Sequence, residues 1–401
     1  MLEGLDQIDW AALRHAYGPA ADVPGDLRAL ALGGERQAAK ALERLYSNIY
    51  HQGTRYTATV AAVPFIAEMA LARRDRAARC LTLLAAIAQP SVRQMLDMGL
   101  ASQGYYQEMA GQARARRDCE RAEGETYGIG PDVDADVHAA VARALPALLP
   151  LFRQSDPAVT AALIELTGQV PQAAGATLPH LRAALGATPD TASDEGVTLA
   201  AIRALGQLGQ TIERPEVTPD LTALLTPDHS ALIRARAAVA LCDIGQGQFE
   251  PLTEALTAAA TIYDQDAARP PGHGWTIPQV ARALRPFCAA HGPEIAHRLI
   301  KVLPIAAERG VTSTAIVDTL ITALLDGAPT QNAFTGRRRS KLGDLDRKAL
   351  GAIAEHGPWR IADRVYGNFT GQMRGYGLPD TAEGLAHFAR KPGFFKRLAG
   401  A

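Results

Sequence analysis

The sequence predicts an all-α fold, an α-solenoid of stacked antiparallel helical hairpins, and three observations carry that reading. The first is composition: 77 alanines stand beside nine Phe, ten Tyr and three Trp in 401 residues. Alanine and leucine make a thin core that lets helix backbones approach closely, whereas a sheet sandwich draws on branched and aromatic side chains. The second is a recurring phrase, Pro-x-Leu, at Pro146-Ala147-Leu148, Pro179-His180-Leu181 and Pro219-Asp220-Leu221, followed by the looser Pro251-Leu252; the prolines fall 33, 40 and 32 residues apart. The third is helical periodicity between them. Val159, Ala162, Leu163, Leu166 and Val170 follow i, i+3, i+4, i+7, i+11, and Ile233, Ala237, Ala240, Leu241 and Ile244 follow i, i+4, i+7, i+8, i+11.

In chain order, Val23-Pro24-Gly25-Asp26-Leu27 begins a helix, Arg36 to Tyr50 forms its partner, and Val63-Pro64-Phe65-Ile66 begins the next. Gly111 to Asp136 breaks the rhythm with a charged run, Arg114 to Asp118, and a Gly-rich stretch through Tyr127 to Pro131. Each Pro-x-Leu then reads as a helix start, because proline fits the first turn, where its missing N–H has no intrahelical partner to lose. Asp156-Pro157, Thr188-Pro189-Asp190 and Thr226-Pro227-Asp228 stop those helices and supply oxygens near the next N-terminus, while Gly168, Gly209 and Gly245 sit where the second helices end. Such a hairpin cannot cover its own apolar stripe, so neighbours must stack on it. Tyr263 to Pro278 is too rich in breakers for a helix; Ile295 to Ala307 and Ser313 to Leu325 form another antiparallel pair. The resulting organisation is a solenoid of seven or eight hairpins over residues 1–325, with inserted loops near 111–136 and 263–278. A basic loop and a C-terminal helical cap follow over 326–401, the cap opening at Asp380-Thr381-Ala382-Glu383.

Forty-one Lys and Arg against 42 Asp and Glu leave a net charge of −1, so no global field draws the molecule to nucleic acid or an anionic membrane. Met1 to Asp6 lacks the basic and apolar segments of a secretory leader. The best apolar run, Ala58 to Ala67, contains Pro64 and stops at Glu68, short of the ~18 residues a membrane span needs. A cytoplasmic protein with no membrane partner is expected. Cys80, Cys119, Cys242 and Cys288 lie far apart, and three of them fall in apolar helical patterns, so they read as reduced thiols.

The spacing and the phrases Pro-x-Leu, Asp156-Pro157-Ala158-Val159 and Leu163-Ile164-Glu165-Leu166 resemble HEAT-like repeats of the PBS-lyase type. Leu45-Tyr46-Ser47-Asn48-Ile49-Tyr50-His51-Gln52-Gly53-Thr54-Arg55-Tyr56 is similar to a phrase found in bacterial HEAT-repeat proteins, as is the stretch from Asp9-Trp10 through His15-Ala16-Tyr17-Gly18 to Pro24. The resemblance covers roughly residues 8 to 325 and implies the fold. It leaves function open, because such repeats serve scaffolds, inhibitors, bilin lyases and DNA glycosylases alike.

Three groups of residues are candidates for binding. Tyr46, Asn48, His51, Gln52, Thr54, Arg55, Tyr56 and Thr59 place hydrogen-bonding side chains between apolar helices, where they must either be satisfied as helix caps and turn braces or face a ligand. Trp275 beside His273 on a Pro/Gly loop either anchors a partner or folds back on its own helix, and Tyr127, like Tyr105 and Tyr106, carries the same ambiguity. Arg337, Arg338, Arg339 and Lys341 form the sharpest basic cluster, without interleaved aromatics for stacking bases.

Catalytic signatures fail one by one. Asp132-Val133-Asp134-Ala135-Asp136 imitates a calcium loop, but Val137 replaces its glycine and Arg143 its final glutamate. No H-E-x-x-H, C-x-x-C or phosphate-loop motif is present, and the ten histidines show no ligand spacing, so neither metal nor cofactor is expected. The leading expectation is a non-catalytic protein-binding scaffold, or a regulatory or inhibitory partner, working through the concave face and inserted loops. The alternative is a HEAT-like DNA-binding enzyme such as an alkylpurine DNA glycosylase, for which Trp275 with Asp264 or Asp266 is the only constellation available.

Overall fold

A computed structural model describes residues 1–51, 53–89, 131–153, 156–186, 192–210, 216–267, 275–308, 313–328, 330–361 and 363–390. Among the described residues the regular structure is helical apart from three ribbons of two-residue antiparallel strands. It divides into two compact units, one holding the helices up to Ala223 together with Asp243–Gly245, the other Leu224–Cys242 and the chain from Gln246 onward.

The first unit opens with a ribbon, β1 (Arg14–His15) and β2 (Gly18–Pro19), then the pair α1 (Val23–Leu32) and α2 (Glu35–Asn48). A second ribbon, β3 (Tyr50–His51) and β4 (Thr54–Arg55), leads to α3 (Thr57–Ala72) and α4 (Ala77–Ala88). After these come α5 (Pro131–Leu148), α6 (Pro157–Gly168), α7 (Ala174–Gly186), α8 (Ala192–Leu208) and the short α9 (Thr218–Ala223). Stacking runs as the periodicity requires: α3 packs on α4 and α5, and α6 lies between α4 and α8. Val159, Leu163, Leu166 and Val170 are all buried, each large aliphatic chain contributing about 1.5–3 kcal/mol. Asp156 caps α6 by accepting from the N–H groups of Ala158 at 2.9 Å and Val159 at 3.4 Å. At the far end of α6, Gly168 admits the backbone of α8: a Cβ there would lie 2.8 Å from the Ala204 Cα.

Pro146 and Pro179, expected at helix starts, lie inside α5 and α7, as Pro64 does inside α3. The helices begin earlier, at Pro131, at Ala174 after a 3₁₀ turn from Pro171, and at Thr57. An interior proline forfeits one backbone bond and strains the preceding turn, and packing on both sides outweighs that loss. Because α5 runs on through Pro146 into a 3₁₀ turn, Val133–Arg153 is also long and apolar enough, by length and composition, to cross a membrane, contrary to the expectation that no run approaches that length. Val137, Val141, Leu145 and Leu148 of this helix are buried in the core of the unit.

In the second unit, α10 (Ala231–Asp243), α11 (Phe249–Thr257), α12 (Ala259–Ala267) and α13 (Thr276–Ala283) precede the long α14 (Cys288–Ala307), which is kinked at His291. The expected antiparallel pair is α14 with α15 (Ser313–Leu324). A third ribbon, β5 (Arg360–Ile361) and β6 (Arg364–Val365), separates α16 (Asp344–His356) from α17 (Gly367–Gly375), and α18 (Ala382–Ala389) packs on α16. Thr381 caps α18 through the N–H of Gly384 at 3.1 Å.

A polar chain threads this unit. The Tyr376 hydroxyl donates to Asp318 Oδ1 at 2.6 Å and accepts from Gln372 Nε2 at 2.6 Å, while Arg285 pairs with the other Asp318 oxygen. Burial pushes the Asp318 carboxyl up from its ordinary value, with Arg285 and Tyr376 opposing the shift. Among the described residues Cys80 and Cys288 are buried free thiols, pushed by burial to about 12 and about 11, and Cys242 is half-buried.

Candidate functional site

The polar phrase between α2 and α3 is laced to the first ribbon. Asn48 at the end of α2 accepts the Ala16 N–H at its carbonyl, 2.9 Å, and its side chain donates to Asp22 Oδ2 at 3.1 Å. Asp22 Oδ1 lies 2.8 Å from His15 Nε2, and His15 Nδ1 accepts the Tyr17 N–H at 3.0 Å. A backbone N–H can only donate, so the neutral ring carries its proton on Nε2 and gives it to Asp22. Both nitrogens are thereby engaged, and the dyad braces the turn instead of offering a base.

What the brace presents is Tyr17. The residue is 65% exposed, its hydroxyl lies 3.2 Å from Ser47 Oγ and 3.4 Å from His51 Nδ1, and its ring meets the His51 imidazole edge-on with centroids 5.4 Å apart. Burial pushes the Tyr56 hydroxyl up, and a hydrogen bond with Thr54 opposes that. The Tyr56 N–H donates to Thr59 Oγ1 at 2.9 Å, and the Thr59 hydroxyl donates to the Ile49 carbonyl, closing the turn into α3. Tyr17, Ser47 and His51 thus form one surface of phenol, hydroxyl and imidazole groups held by hydrogen bonds, and Tyr56 stands at the start of α3.

Other members of the phrase face inward. Arg55 is 4% exposed, donating to the Ile87 carbonyl at 2.5 Å and to Asp134 at 3.0 Å, so it ties β4 to the end of α4 and the start of α5. Tyr46 and Tyr50 meet edge-on at 6.4 Å, and burial pushes both phenols up, Tyr50 to about 12. The Tyr50 hydroxyl is buried without a hydrogen-bond partner. Gln52, Tyr127 and His273 lie outside the described residues, as do Tyr105 and Tyr106.

Trp275 precedes α13 and rests against Tyr263, centroids 5.6 Å apart. Asp266 is spent on the same helix start: Oδ2 accepts the Thr276 N–H at 2.7 Å, and Oδ1 takes the Thr276 hydroxyl at 3.1 Å and lies 3.6 Å from Arg236. The basic cluster is divided. Arg339 reaches inward to His387 Nε2 at 2.8 Å and the Arg390 carbonyl at 3.1 Å, Arg337 lies over the Phe334 ring at 4.9 Å, and Arg338 and Lys341 are exposed. No group of three or more His, Cys, Asp or Glu placed to hold a metal occurs among the described residues.

Among known families, residues 145–242 fit the model of HEAT repeats. These residues are HEAT-like repeats. Neither the curated proteins nor the solved structures contain a match to it. The HEAT match runs from the end of α5 through α10 and bears on the stacked hairpins; the surface at Tyr17 lies outside it. Sequence reasoning missed Tyr17, Ser47, His15 and Asp22 as parts of this site. The one local signal was Ala16-Tyr17-Gly18, an aromatic before a glycine in a turn, and its meeting with His51 is a contact 34 residues apart.

Proposed function

We propose that this HEAT-like protein is a non-catalytic protein-binding scaffold or regulatory partner, with the Tyr17 surface as a principal contact. HEAT repeats commonly mediate protein interactions. The observation that carries the reading here is an exposed tyrosine whose backbone, hydroxyl and ring are all held in place. A pre-ordered aromatic loses little conformational entropy on binding, which is why Tyr and Trp dominate interface energies. The chemistry around it favours contact over catalysis, since His15 has both nitrogens engaged.

The test is crosslinking and pull-down of the whole chain from its native host, compared with Tyr17→Ala and Tyr56→Phe. A partner recovered by the parent and reduced at least tenfold by Tyr17→Ala supports the proposal. Equal recovery with both variants overturns it, and tight, steeply salt-dependent binding of duplex DNA without a protein partner favours the nucleic-acid reading.

A further inference from the structure

A small device occurs once in each unit. In the first, α2 leads through β3–β4 into α3; in the second, α16 leads through β5–β6 into α17. The registers coincide, Tyr50 opposite Arg55 and His51 opposite Thr54 in one, Arg360 opposite Val365 and Ile361 opposite Arg364 in the other. A residue of positive φ precedes the second strand in each, Gly53 at 88° and Asp363 at 65°, and a tyrosine, Tyr56 or Tyr366, joins the ribbon to its following helix. Register on register, Arg360 stands in the place of Tyr50 and Val365 in that of Arg55. That pair keeps one cation and one apolar group, exchanged between the strands.

Cover is what differs. Tyr50 and Arg55 are each 4% exposed, because β4 packs on α5 and Arg55 holds Asp134 in the first turn of that helix. Arg360, Ile361, Arg364 and Val365 are all exposed, Val365 at 65%. Two of the six exposed large apolar side chains among the described residues sit on this ribbon. Its base is firmly built: Trp359 meets the buried Phe369 edge-on at 4.8 Å, its indole N–H donates to the carbonyls of Ile353 and Ala354, and the Tyr366 N–H bonds the Trp359 carbonyl at 2.9 Å.

We infer that the Arg360–Val365 face of this ribbon is a docking surface for an acidic amphipathic helix of a partner protein, seated as α5 is seated on β4. Opposite residues of an antiparallel pair share a face and successive residues alternate, so Arg360 and Val365 look to one side and Ile361 and Arg364 to the other. The first side corresponds to the one that α5 covers in the other unit, and there the covering helix brings a carboxylate to a guanidinium. The inference rests on the protein-binding reading above and uses different residues.

The probe is a labelled synthetic peptide of residues 131–148, whose first turns carry Asp132, Asp134 and Asp136, titrated by fluorescence anisotropy into the whole chain. Expected is saturable binding, weakened tenfold or more by Val365→Asp and by Arg360→Glu, changed less than threefold by Ile361→Ser, and abolished when Asp134 and Asp136 of the peptide are replaced by Lys. All three protein positions are exposed, so circular dichroism should confirm an intact fold. Absence of saturation by about 1 mM, or equal weakening by Ile361→Ser, overturns the inference. So does self-association of the chain that Val365→Asp abolishes, which makes a second copy the occupant, or duplex DNA binding that needs the arginines and ignores Val365. Tyr17→Ala leaves peptide binding unchanged, so failure at the ribbon and failure at the Tyr17 surface are separate results.

Discussion

Replacing Tyr376 by Phe removes one oxygen and no packing volume, yet that oxygen serves two buried groups. It donates to Asp318 Oδ1 and accepts from Gln372 Nε2, both at 2.6 Å. A hydrogen bond to a charged acceptor is worth about 1.5–3 kcal/mol and a neutral one about 1. Gln372 retains a long contact with the Thr314 carbonyl at 3.5 Å, which recovers part of the second loss. The expected cost is about 3 kcal/mol where Asp318 is ionised. The pH dependence has a definite sign. Burial raises the Asp318 carboxyl in the folded state, so folding takes up a proton between the ordinary carboxylate value of 3.8 and the raised one, and stability falls as pH rises through that window. Without the tyrosine donor the carboxylate is still less favoured, and the window widens upward. The cost therefore grows with pH across that window, because only the ionised carboxylate makes the charged bond. Because the chain has two units, hydrogen exchange of amides in α15 and α17 is a sounder readout than a global melt. A loss below about 1 kcal/mol above that window, or a loss that does not grow with pH, would refute this account of the network.

Gly168→Ala should destabilise the first unit by about 1–3 kcal/mol in urea titration, because the new methyl meets the Ala204 backbone where α6 and α8 touch; a neutral result means that the two helices can separate at little cost. Arg55→Met should cost about 2–4 kcal/mol by leaving the Ile87 carbonyl and Asp134 without their donor, and should speed exchange at the start of α5 more than at the start of α3. At pH 8, iodoacetamide followed by peptide mapping should spare Cys80 and Cys288, whose thiols burial holds protonated, and label Cys242 sooner.

The stacked helices were legible in the sequence because helical periodicity is local. A stripe such as Val159 to Val170 names its own buried face whatever packs on it, and Asp156 finds its N–H partners within three residues. Helix starts were less legible: Pro146 looks like a first-turn proline, and only burial on both sides lets the helix run through it. Candidate residues were found as types and not as roles. Arg55 and His51 stand four positions apart in one polar phrase, yet α5 buries the first and Tyr17 flanks the second, through contacts 79 and 34 residues away. Composition and pattern alone therefore settled the all-α class and the hairpin unit, since those follow from how each short segment partitions between water and its neighbours. Which polar groups became braces and which were left at the surface was decided in three dimensions, because hydrogen bonding and burial depend on chain segments that meet only after folding.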